Sequence, residues 1–156
     1  IVGWFYRLYC SSTGLIGVSK MSRIFWSNTY SVGHPDIDSE HKKLVEIYNR
    51  IVDAVESFND EPEDRQELMT LLVIFKQNIK RHFFTEESVL SRLNYPDLPN
   101  HQLLHFDSLG KISSIDVHGI SKKEYRKMIL ETVGEWWVNH LLIEDMKFKD
   151  FILKNL

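Results

Sequence analysis

The sequence predicts an all-α protein: an up-down-up-down antiparallel four-helix bundle with an N-terminal extended segment. Three observations carry that expectation. Apolar residues recur at helical spacing in successive stretches, as in Leu44, Val45, Tyr48, Val52 and Val55, or Leu68, Leu72, Phe75 and Ile79. That period marks an amphipathic helix, whereas the alternation expected of strands is weak throughout. The stretches are joined by short polar or proline-bearing connections, which favour antiparallel neighbours.

Length and composition bound the answer. A chain of 156 residues is enough for one domain with its own core. A net charge of -3 supplies no basic face for nucleic acid. The single cysteine, Cys10, rules out a disulfide within the chain and fits a reducing compartment, so the cytoplasm is the expected location. Residues 1–20 are set aside as a leader, read as non-native residues before a start at Met21, and the domain is taken as residues 21–156. The leader has no uninterrupted apolar run of the ~18–20 residues that span a bilayer, and no membrane span is expected in the domain.

The elements follow in order. Trp26 to Asp38 is a turn-rich lead-in holding Gly33 and Pro35, with Phe25, Trp26 and Tyr30 expected over the side of the domain. Asp38 is the expected N-cap of a first helix running to about Phe58. A polar loop from Asn59 to Asp64 precedes a second helix, whose stripe continues through His82 and Glu86 to Leu90. Asn94 to Asn100 carries two prolines and breaks the chain before a third helix, expected to end near Gly119. Ser121 and Glu124, three apart, form a capping box for the fourth helix, with Met128, Ile129, Thr132, Val133, Trp136 and His140 inward.

The core stripes hold residues that do not belong in an ordinary core. His82 and Glu86 are four apart, and so are His101 and His105. Such pairs share one helix face. His41, His140 and Asp145 are expected to reach the same space. A lone histidine on an apolar face is usually a hydrogen-bonded core residue, and His34 and His118 are read that way. Five histidines and two carboxylates together are different, because a buried charge is costly unless it is paired or binds a metal. Seven ligands exceed the four of a tetrahedral zinc. Two octahedral ions offer twelve positions. Five histidines, two carboxylates if each bridges, and a bridging oxygen leave one of those positions open. Imidazole with carboxylate suits iron among first-row metals.

One spacing is awkward. His140 and Asp145 are five apart, an advance of about 500° that leaves them about 140° from one another on a regular helix. A local distortion between Leu141 and Asp145, such as a π-bulge, is therefore expected.

Several motifs, in this order, resemble the hemerythrin family and its bacterial single-domain members. They are Trp26, Tyr30-Ser31-Val32-Gly33, Ile37-Asp38-Ser39-Glu40-His41, His82-Phe83-Phe84-Thr85-Glu86-Glu87, His101-Gln102-Leu103-Leu104-His105, and Trp136-Trp137-Val138-Asn139-His140 followed by Asp145. The resemblance implies two iron ions with a bridging oxo or hydroxo group, and reversible binding of dioxygen. It implies that His101, His105 and His140 hold one iron, that His41 and His82 hold the other, and that Glu86 and Asp145 bridge. Dioxygen would then bind end-on at the two-histidine iron. The open position is expected between walls made by Leu44, Ile79, Phe83, Trp136, Trp137 and Leu141. Two residues depart from the family pattern: Glu40 stands where glutamine is usual, and Trp137 where an aliphatic residue is usual.

The expected function is binding rather than catalysis, for oxygen carriage, storage or delivery. An oxygen or redox sensor signalling to a partner is the alternative. A di-iron oxidase or iron-storage protein is less well matched, because ferritin-like sites use Glu-x-x-His and this chain has no such tetrad.

Overall fold

The computed structural model describes residues 23–115 and 121–156, and among these it is all-helical with no strand. The leader at residues 1–20 and His118 lie outside the described residues, as does the Trp136 side chain. A 3-10 turn at Asn28–Tyr30 precedes α1 (Pro35–Ser57), α2 (Pro62–Arg92) and α3 (Leu98–Ser113). The fourth stretch is a broken arm. It comprises α4 (Lys122–Ile129), a π-helical segment Leu130–Glu135, α5 (Trp136–Asn139), a second π segment His140–Glu144, a 3-10 turn Asp145–Lys147 and α6 (Lys149–Asn155).

Helix α1 starts before the expected cap. Pro35 opens it, where a missing N–H costs nothing, and Asp36 and Asp38 lie in its first turn near the positive end of the helix dipole. Asp38 therefore does not cap. Its carboxylate accepts the Ser31 hydroxyl at 2.6 Å and the Val32 N–H at 2.8 Å, which pins the lead-in to the helix. Further back the lead-in runs along α1, where the Asn49 amide exchanges two hydrogen bonds with the Ile24 backbone. Trp26 lies over the side of the domain as expected, but Phe25 is exposed.

Helix α2 starts at Pro62, inside the loop the sequence suggested, because Glu61 and Asp64 form a reciprocal capping box around it. It ends in a Schellman motif. Asn94 takes the left-handed conformation, Tyr95 N–H reaches the Leu90 carbonyl at 2.9 Å, and Asn94 N–H reaches that of Ser91 at 3.0 Å. Helix α3 stops at Ser113, short of the expected Gly119. The Ser121–Glu124 box stands at the start of α4 as expected, with Ser121 N–H donating to Glu124 Oε2 at 2.9 Å.

The buried residues fall into two apolar clusters. The larger joins Leu44 to Val55 of α1 and Phe58 at its C-terminal cap, Leu68 to Phe83 of α2, Ile112 of α3, and Tyr125, Ile129, Val133, Trp137 and Leu141 of the broken arm. The smaller joins Val32, Ile37, Val89, Leu90, Phe148 and Ile152. Tyr125 was not among the expected inward residues, although it stands four before Ile129 on the same stripe. It stacks on Phe58 at 5.3 Å, and burial pushes its hydroxyl up to about 12. Between the two clusters, every arm passes through a layer of buried histidine and carboxylate.

Gly33 has φ of +87°, and a Cβ there would stand 2.5 Å from Leu153 Cδ2. Gly33→Ala should thus lose about 1–3 kcal/mol of stability in urea unfolding, the usual magnitude of left-handed strain in a residue with a Cβ. Adding Leu153→Ala should recover only the part due to the clash.

Candidate metal centre

All seven side chains singled out in the sequence meet in the layer between the clusters, none more than 5% exposed. His41 comes from α1, His82 and Glu86 from α2, His101 and His105 from α3, and His140 and Asp145 from the broken arm. They form two overlapping groups able to hold a cation. Glu86, His101, His105 and His140 make one, and His41, His82, Glu86 and Asp145 the other, with ligand atoms in each lying within 4.8 Å of one another.

The carboxylates are divided between the groups. Glu86 Oε1 stands 2.5 Å from His101 Nε2 and 3.3 Å from His105 Nε2, while its Oε2 stands 3.3 Å from His82 Nε2. Asp145 Oδ1 stands 3.1 Å from His140 Nε2, while its Oδ2 stands 3.2 Å from His41 Nε2. One oxygen of each carboxylate thus faces each histidine set.

Asp145 reaches this position through the second π segment. Its backbone N–H bonds to the carbonyl of His140, five residues back, so both side chains fall on one side of the arm. The distortion lies over His140–Glu144, where the five-residue spacing called for it.

Electrostatics set the protonation of the layer. Burial lowers His41 to about 4, against the pull of Glu86, Asp38 and Glu40. Burial likewise holds His140 well below its ordinary value. Neutral imidazoles have lone pairs to offer a metal. Burial alone would push Glu86 up, but His101, His105 and His82 outweigh it and hold the carboxyl well below its usual range. Asp145 goes the other way, raised by burial and then by the Glu86 charge beside it. Five inward polar atoms, His41 Nε2, His82 Nε2, Glu86 Oε2 and both Asp145 oxygens, are buried with no hydrogen-bond partner in the protein. Atoms of that kind are costly to bury, and a pair of cations between the carboxylates would satisfy all of them at once. The donor set fits two metal ions.

An outer ring of contacts orients the histidines. His105 Nδ1 stands 2.6 Å from Glu87 Oε1, and Gln102 Nε2 donates to Glu87 Oε2 at 2.9 Å. Glu40, the departure noted in the sequence, sits 3.7 Å from His82 Nδ1 and accepts from Arg81 and Thr85. Burial raises Glu40, but His82, Thr85 and Arg81 together bring it below its usual value. Glu87 was missed as a contributor. Its only sequence signal is that it doubles Glu86 on a helix edge facing α3.

Leu44, Ile79, Trp137 and Leu141 are fully buried in the larger apolar cluster. The Trp137 ring lies 6.1 Å from His41 and 6.2 Å from His82. Phe83 belongs to the same cluster; its ring lies 5.7 Å from His82 of the two-histidine group and also stacks face to face on His105 at 3.6 Å. One residue on from His82 is a turn of about 100° around the helix, which carries Phe83 toward α3. His34, read as a hydrogen-bonded core histidine, stands at the N-cap of α1 and in neither cation group, and its buried Nδ1 has no hydrogen-bond partner.

An all-helical protein whose core holds two overlapping histidine–carboxylate cation groups is the class that fold and site define. The chain belongs to the hemerythrin family: the model of the hemerythrin HHE cation binding domain matches residues 32–152. It is 29% identical over 128 residues to a bacteriohemerythrin of Clostridium acetobutylicum, covering 80% of this chain and 98% of the relative. It is 26% identical over 124 residues to a myohemerythrin of Theromyzon tessulatum, covering 80% and 89%. A bacteriohemerythrin of Pseudomonas aeruginosa is 23% identical over 132 residues, covering 85% and 83%. No helix among the described residues is long and apolar enough to cross a membrane.

If Glu87 orients His105, Glu87→Gln should weaken metal binding by about 10–100-fold, as loss of an outer carboxylate partner does. Competition with a chromophoric chelator reads this directly, and unchanged affinity would leave Glu87 as a surface residue.

Proposed function

We propose that this chain binds dioxygen reversibly at a non-haem di-iron centre and serves oxygen carriage, storage or delivery. The observation that carries this reading is the division of Glu86 and Asp145, each with one oxygen toward either histidine set. In this reading His101, His105 and His140 hold one iron and His41 and His82 the other. Glu86 and Asp145 span the two, with an oxo or hydroxo group. The same reading takes the arms as an up-down-up-down four-helix bundle and places the protein in the cytoplasm. Membership of a cation-binding family, and relatives named for hemerythrin, support it.

When bound, non-haem iron supplies the redox chemistry toward dioxygen. The rest falls to the side chains. Burial keeps His41 and His140 neutral, so their nitrogens are available to bind. The half with two histidines would have the free position, and Trp137 lies beside that half in a cluster shared with Leu44, Ile79 and Leu141. Small-ligand pockets are usually apolar with few placed polar groups. This wall excludes water and the protons it carries, which slows irreversible oxidation of the iron.

Anaerobic loading with Fe(II), then air, then argon purging, tests the reading. A visible charge-transfer spectrum that appears in air and vanishes under argon is the expected result, whereas irreversible bleaching would point to an oxidase or a redox sensor. Leu44→Ala and Trp137→Ala should speed autoxidation while two irons remain bound. Azide should bind the oxidised form once per iron pair.

Removing the metal should lower the melting temperature clearly, since an ion that binds only the folded state stabilises it by mass action. Equal melting temperatures with and without iron would mean the helices do not depend on the site.

A further inference from the structure

The two sides of the centre differ in what can reach them. On the two-histidine side the Trp137 ring lies 6.1 Å from His41 and 6.2 Å from His82, and it packs in one apolar cluster with Leu44, Ile79 and Leu141, all 0% exposed. On the other side an open cleft of about 480 Å³ runs between α3 and the broken arm, and its lining includes Asp107, Ser108, Lys111, Glu131, Glu144 and, at its floor, His140. His140 is only 2% exposed and belongs to one of the two cation groups. Dioxygen is small and neutral and can cross packed apolar side chains as they fluctuate. An aquated dication cannot, because stripping its water against an apolar wall is prohibitive.

We propose that this cleft is the loading route by which aquated ferrous iron reaches the centre, an inference that rests on the di-iron reading above. Three carboxylates line it against one lysine. An excess of carboxylate in the lining of a cleft favours cations there and raises their rate of arrival. Carboxylate oxygens suit a hydrated divalent ion in passage, and imidazole nitrogens then hold iron more firmly. Glu144 is paired with Lys147 at 2.6 Å and Glu131 with Lys127 at 3.9 Å. Both pairs are partly exposed, and such pairs are weak enough to open for a dication. Glu144 also ends the π segment that begins at His140, so the last carboxylate of the cleft and the first histidine of the centre share one short stretch. The groove lined by Arg50, Glu63, Gln66 and Glu67 lies between α1 and α2 and reaches none of the seven side chains.

Loading kinetics test this without reference to oxygen. The full chain, freed of metal by chelation, is mixed with Co²⁺ in a stopped-flow instrument and its visible absorption followed. Asp107→Asn with Glu131→Gln should slow uptake about fivefold at low salt, with the difference lost at high salt, as electrostatic steering requires. Lys111→Gln should speed it. Glu63→Gln with Glu67→Gln changes the net charge equally and should leave the rate unaltered. All variants should finish at two cobalt ions per chain. Uptake at the unaltered rate in the cleft variant, or equal slowing in the groove variant, overturns the loading route. Fewer than two ions in the unaltered chain would instead overturn the di-metal reading, and this inference with it.

Discussion

The constraint on which the structure depends is the burial of five histidines and two carboxylates in one layer. Carboxylates out of water are costly, and two beside each other repel. The opposite shifts of Glu86 and Asp145 express that conflict: one stays ionised, and its charge helps to push the other toward its protonated form. The apolar clusters on either side hold the layer in place. Without them, helices carrying such residues would turn the polar face outward. The energy that brings Glu86 and Asp145 together comes from Phe75, Ile79, Trp137, Phe148 and their neighbours, since apolar burial is the dominant favourable term in folding.

The broken arm is the place where site and fold conflict most openly. Its apolar ladder, Tyr125, Ile129, Val133, Trp137 and Leu141, keeps a four-residue step. Asp145 keeps that step from Leu141, but it must also share a side with His140, five residues back. The π segment reconciles the two by letting the Asp145 N–H bond to the His140 carbonyl directly. Such segments are rare and are found mostly at functional sites. A second one at Leu130–Glu135 has no comparable cause in the site, though Gly134 within it lets the Tyr48 hydroxyl approach to 3.4 Å of where a Cβ would stand.

The helical class, the first three helices and the seven inward polar residues were readable in the sequence, because each rests on periodicity, whereas the division of the fourth helix into several segments was expected only before Asp145. So was the distortion before Asp145, because a five-residue spacing cannot be met by a regular helix. What was not readable depended on contacts between elements. Asp38 looked like a cap and instead ties down Ser31 and Val32. Phe83 was expected beside His82, and its ring lies 5.7 Å from it, but its stacking on His105 depends on where α3 packs. Glu87 resembles any exposed helical glutamate until α3 brings His105 and Gln102 to it.

The asymmetry of the surroundings matches the asymmetry of the ligand sets. In the proposed assignment the two-histidine half has the free position, and that half is walled by fully buried apolar residues. The three-histidine half is complete, and it faces the polar cleft through His140. In that assignment water entering the cleft would meet a half with no position to fill, while the position to be kept dry would lie on the side of Trp137. The opposite arrangement would set the free position against solvent and invite water and protons to it. Ligand number and wall polarity are thus not independent features. With one sequence to build both, the histidine-poor half must also be the half in the apolar core, and Trp137, where an aliphatic side chain is usual in the family, adds ring area to that wall.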